Sequence, residues 1–373
     1  MSLKQTHLPS VGVIVPGHNA GRTLEACLSS LRKQDWPGDR FVLVFVDDAS
    51  TDDSREIAER FVDRMIVSTG TPRGPAAARN LGVEFTPEDI IIFFDADVVA
   101  PPPTVSALLK PLLDKSGLDA VFGSYDREPA HKEVVSQYRN LLHYYTHQNS
   151  NEEASTFWAG CGAVRRKSFR QVGGFDVNLY PKPMIEDIEL GHRMRAAGMR
   201  IRLKKDAQVK HLKKWTVREI LRADIFRRGI PWMKLLLNER GRSSEIGDLN
   251  LTLIPMLSIP LTWGAILLSL FSFRFPVLLP VSLAALVFCV LINLRTHLFF
   301  YRVRGLGFAA ASIPLYLLYH CCNGISTLGG LLGYMLAGGR RLFAKKRPAD
   351  SDVQPKPLPF NAVQVIECAN KSR

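Results

Sequence analysis

Nothing in this chain reads as a secreted scaffold or a metal finger. Its six cysteines, Cys27, Cys161, Cys289, Cys321, Cys322 and Cys368, include no CxxC pair. That removes zinc-ribbon and disulfide-framework readings and leaves reduced thiols as the simplest state. The start, MSLKQTHLPS, carries no apolar signal-peptide stretch, so the first domain is expected to stay in the cytoplasm. Acids are scarce beside bases: 35 Asp and Glu face 48 Lys and Arg, for a net charge of +13. The basic excess concentrates at 193–242, and long uncharged apolar stretches follow from 249. This distribution favours a membrane surface over nucleic acid. Zinc-finger spacing and aromatic–basic RNA motifs are both missing.

What is present in the first half alternates. VGVIVP (11–16), FVLVFVDDAS (41–50), MIVST (65–69) and DIIIFFDAD (89–97) read as strands. Helical spacing occupies 19–34, 52–61 and 74–85 between them. The strands are continuous Val/Ile/Phe runs, the pattern of strands buried on both faces, so an α/β domain with a mostly parallel sheet is expected. In such sheets ligands bind off the carboxyl ends of the strands. Asp47 and Asp48 end one strand, and Asp95 and Asp97 end another. An isolated acid at a strand end is commonly a turn or cap residue. Two carboxylates one residue apart can instead hold a hard divalent cation, which prefers oxygen ligands and shares them with substrate phosphates.

The order of motifs is more specific than any one of them. VIVPGHN (13–19), FVDDASTDDS (45–54), GPAAARNLG (74–82), FFDAD (93–97), GCGAVRRKSFRQVGGFD (160–176) and IEDIELGHRMRAAG (185–198) follow one another. The series resembles the family 2 glycosyltransferases, over roughly residues 10–220. That resemblance implies a GT-A, Rossmann-like α/β fold and a nucleotide-diphospho-sugar donor, with Mg²⁺ or Mn²⁺ as cofactor. It implies a nucleotide pocket at Pro16, Asn19 and Asp48, with Asp48 accepting a hydrogen bond from the base. Gly74, Arg79 and Asn80 would lie under the ribose and diphosphate. Asp95 would meet the ribose and metal, and Asp97 would be the more direct metal ligand. Glu186-Asp187 matches the family's ED pair, with Asp187 as general base; acids here also suit a helix N-terminus. Arg193 could face the diphosphate. Trp158, Gly160, Cys161 and Gly162 would line the sugar and acceptor pocket, Trp158 as a stacking platform or as core, Cys161 as a buried thiol. HLKKWT (211–216) departs from the QxxRW of processive members. His211 could add a metal or phosphate contact, Lys214 could meet the diphosphate and Trp215 could flank the acceptor.

The second half reads as membrane-associated. Residues 215–245 mix apolar positions such as Ile220, Phe226 and Trp232 with Arg218, Arg222, Arg227 and Arg228, an interfacial amphipathic pattern broken near Gly229-Ile230-Pro231. Spans are expected at 249–273 and 275–294. The stretch 305–339 is longer than one span needs, and Arg340, Arg341, Lys345, Lys346 and Arg347 follow it. The positive-inside rule then calls for a hairpin near Cys322-Asn323-Gly324, with one long tilted span as the alternative. Residues 1–10 and 348–373 read as tails, the latter as disordered, and 11–214 as the catalytic domain.

These readings together describe a multi-pass protein of the cytoplasmic membrane. It would be an inverting, metal-dependent glycosyltransferase with a nucleotide-sugar donor, UDP-linked by the hint of Asp48, and a hydroxyl of a lipid or lipid-linked acceptor. A polyprenyl phosphate acceptor, needing no base, is the second reading, and a processive polymer synthase the third. A catalytically silent GT-A scaffold and a nucleotidyltransferase are the readings from other classes.

Overall fold

A computed structural model describes residues 8–114, 117–239, 253–336 and 363–368. The expected tails lie mostly outside these residues, as do the basic positions 340–347. In chain order the first elements are β1 (Val11–Gly17), α1 (Gly21–Arg32), β2 (Phe41–Asp48), α2 (Ser54–Glu59), β3 (Arg64–Ser68), α3 (Pro75–Glu84), β4 (Ile90–Phe94), β5 (Val98–Val99), α4 (Thr104–Leu113) and β6 (Ala120–Tyr125). Then come α5 (Val134–Asn149), β7 (Glu153–Ala154), β8 (Cys161–Arg165), α6 (Arg166–Gln171), α7 (Glu186–Ala196) and β9 (Ile201–His211). The remainder is α8 (Val217–Arg222), a π-helical segment (Ala223–Gly229), α9 (Ile230–Glu239), α10 (Leu253–Phe271), α11 (Leu278–Ile292), α12 (Leu294–Leu336) and β10 (Val363–Glu367).

The chain divides into two units: residues 1–130, 151–213 and 347–373, and residues 131–150 with 214–346. The first unit is built on a sheet of order β10-β3-β2-β1-β4-β8-β6-β9-β5, with β7 added on β9. β3, β2, β1 and β4 run parallel. β8 is antiparallel to β4 and β6, so the sheet is mixed beyond the parallel block. Successive side chains of a strand point to opposite faces, and here both faces are covered. Val11, Val13 and Val15 of β1, with Leu43 and Phe45 of β2 and Ile92 and Phe94 of β4, enter one core under α1 and α4. Ile14, Val44, Val46, Ile91 and Phe93 enter the other, with α3 and α7. Each such side chain contributes about 1.5–3 kcal/mol when fully buried. That is why these strands are continuous apolar runs rather than alternating ones.

The β1–β4 ladder ends at Ile14–Phe93, while β1 stays paired to β2 through Pro16 and Gly17. Pro16 has no N–H to give a ladder, and it sits where β1 has already parted from β4. The strand order reverses at this point, the place where open α/β sheets form a crevice. Asp95, Ala96 and Asp97 lie in the turn after β4 rather than in the strand.

The second unit is helical. Thr216 and Glu219 close a capping box on α8. The expected break near Gly229-Ile230-Pro231 is a change of winding, because the π segment leads directly into α9. Pro231 cannot donate to the preceding turn, and a π-turn absorbs that loss. Arg139 on α5 and Asp224 form an ion pair at 2.7 Å with both side chains buried. Polar bonds stitch α10 to α11, including Ser269 Oγ to Ser282 Oγ at 2.8 Å and Asn293 Nδ2 to Ser258 Oγ at 2.7 Å. The hairpin turn expected near Cys322-Asn323-Gly324 is absent. α12 runs through these residues, and its one non-helical residue is Gly305, φ 82°. Gly324 packs on Trp263, where a Cβ would stand 2.1 Å from the indole nitrogen, so this glycine serves close helix packing instead of a turn. Among the described residues one helix, Leu294–Leu336, is long and apolar enough to cross a membrane; the α10 and α11 apolar stretches are shorter. The tail expected to be disordered holds a strand, β10, paired antiparallel with β3.

Gly123 marks the β6–β9 irregularity between Phe122 and Ser124. A Cβ there would stand 2.1 Å from the Ala207 carbonyl oxygen. Backbone cannot swing aside as a side-chain end can, so Gly123→Val is expected to cost at least the ~1–3 kcal/mol typical of overpacking. A lowered thermal denaturation midpoint checks this.

Candidate active site

The carboxyl ends of β1 and β2 are locked together by two short polar side chains. Ser50 Oγ accepts from the Asn19 N–H at 2.9 Å, and Asn19 Oδ1 accepts from the Thr51 N–H at 2.8 Å. Asn19 and Ala49 both adopt positive φ, 51° and 59°. Asn tolerates that region; for Ala it is strain held in place by its surroundings, a feature that clusters at functional sites. Asp47 is fully buried and bonds the Ser50 N–H and Arg55 Nε, the latter at 2.8 Å. Asp48 turns toward the loop before α3. Its carboxylate accepts from the N–H groups of Arg73 (2.9 Å) and Gly74 (2.7 Å). Gly74 has φ 88°, and a Cβ would lie 2.7 Å from the Pro181 carbonyl oxygen, so only glycine fits. Pro75 follows at the first helical position of α3. Val46, Asp48, Ser68, Arg73 and Ala77 line a crevice here.

Arg79, 5 % exposed, is the centre of the site. Its guanidinium bonds Asp95 Oδ1 at 2.6 Å and Glu186 Oε1 at 3.0 Å. It also lies over the Phe175 ring at 5.6 Å. Glu186 accepts from the Met184 N–H at 2.9 Å. Next to it, Asp187 Oδ2 accepts from the Ala159 N–H at 3.2 Å, and Gly160 O accepts from the Asp95 N–H at 3.3 Å. Asp95, Arg79, Glu186, Asp187, Ala159 and Gly160 therefore form a closed ring of contacts. Asp97 leaves it on the other side. Its carboxylate stands 3.6 Å from His211 Nε2, and Val98 faces His211 in the β5–β9 pairing.

The two acids of DAD are pushed opposite ways. Burial raises Asp95, and the neighbouring Asp97 adds to this, while Arg79 opposes it. Burial also disfavours charge on Asp97, but the hydrogen bond and charge of His211, with Lys213, outweigh it and hold this carboxyl below the usual range. Among the described residues no three His, Cys, Asp or Glu side chains come together to hold an ion alone. Asp97 and His211 offer one carboxylate and one imidazole. That donor set fits Mg²⁺ or Mn²⁺ sharing its remaining positions with a diphosphate and water.

Gly160 carries no Cβ because the Trp158 indole occupies that space, with ring atoms 2.6 Å from where a Cβ would stand. Gly162 likewise leaves room for Phe157. Trp158 meets Tyr125 edge-on at 4.8 Å, and Tyr125 stacks on His211 at 4.2 Å.

Several expected residues have other work. Arg193 binds Glu189 and the Val172 and Gly174 carbonyls, an i,i+4 pair that anchors a loop. Asn80 clamps the backbone N–H and C=O of Phe175. Cys161 is fully buried in the core, which pushes its thiol up and away from reactivity. Lys214 and Trp215 belong to the helical unit, where they meet Glu133 (2.6 Å) and Arg139 (5.4 Å). Arg73, Tyr125 and Lys213 were not singled out from sequence. Lys213, the first of two adjacent lysines, could have been found from strand alternation after His211; nothing local marks Arg73 or Tyr125.

Arg79→Met leaves the buried Glu186, and Asp95 at 32 % exposure, without their cation. Removing one partner of a buried pair costs about 3–5 kcal/mol. Asp95, already pushed up by burial, loses the cation that opposes this, so the folded variant binds more protons than the unfolded chain and stability falls as pH rises. The loss of thermal stability is expected to be larger at pH 8 than at pH 5.

Comparison with known proteins agrees with this geometry. Residues 12–173 match the family described as Glycosyl transferase family 2, and residues 139–215 match the N-terminal domain of galactosyltransferase. Validoxylamine A glucosyltransferase of Streptomyces hygroscopicus subsp. limoneus is 25 % identical over 225 residues, 52 % of this chain and 49 % of that protein. Probable glycosyltransferase YdaM of Bacillus subtilis is 26 % identical over 208 residues, 52 % of this chain and 49 % of that protein. The chain thus spans about half the length of the curated relatives it matches. A solved mannosyltransferase of Pyrobaculum calidifontis, in complex with GDP-Man and Mn²⁺, superposes with TM-score 0.51 at 18 % identity, covering 90 % of each chain. Such identity speaks for the fold alone. Taken with the ordered motifs and the sheet that carries them, these matches show a GT-A fold whose residues 12–173 match the family 2 glycosyltransferases.

Proposed function

We propose that the chain transfers a sugar, with inversion, from a nucleotide-diphospho-sugar to a hydroxyl of a lipid or lipid-linked acceptor at a membrane. The observation that carries this reading is the closed ring through Arg79, which supports DAD and ED acting on one bound donor. Asp48 with Arg73 and Ser68 would receive the nucleotide base, with UDP favoured by an acid opposite the base. The acceptor oxygen attacks the anomeric carbon while Asp187 takes its proton, and the nucleoside diphosphate departs from the opposite face. Asp187 suits a base, since its tie to the Ala159 N–H keeps its carboxylate oriented. Asp97 and His211 would hold Mg²⁺ or Mn²⁺, whose chemistry when bound is to neutralise the leaving diphosphate. Trp158, seated against Gly160, would give the sugar a flat wall.

The membrane half of the reading rests on exposed apolar surface. Leu270, Phe271, Phe273, Val277 and Leu306 are all more than half exposed. Leu270, Phe271, Phe273 and Val277 lie at the α10–α11 turn, and large exposed apolar clusters mark interaction or membrane surfaces. The presence of an oriented carboxylate favours a hydroxyl acceptor over a polyprenyl phosphate, which needs no base.

The test is nucleoside-diphosphate release by the detergent-purified full chain with UDP-, GDP- and dTDP-sugars, with Mn²⁺ or Mg²⁺ and lipid extract. Release is expected from one donor and to need metal and lipid. Asp187→Asn should lower kcat by about 10²–10⁴-fold, the range for loss of a general base. Asp97→Ala should remove the metal dependence together with the activity. Activity surviving Asp187→Asn would move the assignment to the phosphate acceptor, and pyrophosphate as product would overturn glycosyl transfer.

A further inference from the structure

The C-terminal strand constrains how the helical unit meets the bilayer. β10 is the edge strand of the first unit's sheet: Val363 faces Ser68 and Glu367 faces Arg64 in antiparallel register. Glu367 Oε1 bonds Arg64 Nε at 2.6 Å, and the Cys368 N–H donates to the Asp63 carbonyl at 2.9 Å. Ile366 and Cys368 pack on one core, and Val363 on the other. The chain therefore leaves the GT-A sheet after β9, passes through the helical unit and returns to the same sheet. A sheet cannot be shared across a bilayer, because open strands find no backbone partners in hydrocarbon. Both ends of the helical unit lie on one side.

α12 itself agrees with a one-sided arrangement. Its first part packs on α5: Tyr138 Oη donates to the Leu315 carbonyl at 3.2 Å, and Arg304 Nε to Gln137 Oε1 at 2.9 Å. Its later part packs on the π segment and α9. Ser326 Oγ donates to the Asp224 carbonyl at 3.2 Å, and Gly330 lies against Met233. These partners carry Arg218, Arg222 and Arg227 exposed on the same α8–π stretch. An arginine at a bilayer centre costs about 2.5–3.5 kcal/mol on insertion scales, so this stretch belongs at a headgroup surface, and the part of α12 after its kink at Gly305 is held against it at Ser326 and Gly330. The α10–α11 hairpin has the opposite character. Its turn exposes Phe273 completely, with Phe275 and Val277 at 51 % and 72 %.

We infer that α12 runs along one membrane face without crossing, that the α10–α11 hairpin is what enters the lipid, and that the chain crosses the bilayer an even number of times. This rests on the membrane reading above. The experiment places one epitope at each terminus of the full chain and digests spheroplasts and inverted vesicles with proteinase K, after carbonate extraction establishes membrane retention. Both epitopes are expected to be lost from the inverted vesicles and kept in spheroplasts. Epitopes on opposite faces of a carbonate-resistant protein overturn the inference alone. A chain released by carbonate overturns the membrane reading and the inference with it. An Arg64→Cys/Glu367→Cys pair supplies the second measurement. A crosslink in membrane-embedded protein is expected, and its absence removes the returning strand on which the inference stands.

Discussion

Arg79 is the interaction on which the rest depends. It sits buried between Asp95 and Glu186, two acids that approach from β4 and α7. A guanidinium is the side chain suited to this, since its planar fork meets two carboxylates at once and it stays charged when buried. Each carboxylate alone would be costly there. With the cation between them, the turn after β4 and the start of α7 are held at one place. Asp97, two residues after Asp95, and Asp187, next to Glu186, are positioned as a consequence. Asp95 and Glu186 thus hold the frame, Asp187 closes the ring on the Ala159 N–H, and Asp97 turns away from it to His211.

The same division explains the two acids ending β2. Asp47 points inward to Ser50 and Arg55, while Asp48 ties down the loop that begins α3. Alternation along a strand makes adjacent acids do different things. The strained Ala49 follows at once, and Asn19 across from it is held by Ser50 and Thr51. Backbone strain here is compensated by hydrogen bonds between the two strand ends, which keeps the crevice open at the point where β1 and β4 separate.

In the helical unit the organising force is different. Many of its apolar side chains are exposed rather than packed into a core. α10 and α11 are joined instead by Ser258, Ser269, Ser282 and Asn293, and α12 is seated on its neighbours by Gly229, Gly324 and Gly330, where the absence of a side chain permits close approach. Gly324 reads in sequence as part of a turn. It is a contact point within a helix, because helix packing and chain reversal both select glycine and composition does not separate them.

Sequence alone determined the parallel block, since continuous Val/Ile/Phe runs have one stable use in a chain with helices between them. It also determined the positions of the acids at strand ends and the family resemblance, through the order of the motifs. It could not decide what each acid does, because Arg79 meets Glu186 only when residues 107 positions apart are folded together. Nor could it show that Arg193 meets Glu189 and the Val172 and Gly174 carbonyls, partners that the fold brings to it. Tyr125 and Arg73 carry no local signal, and only tertiary contact brings them beside His211 and Asp48. The returning strand β10 was likewise decided by the tertiary structure: a short apolar stretch in a polar tail becomes a strand only when an edge such as β3 offers it unpaired backbone groups.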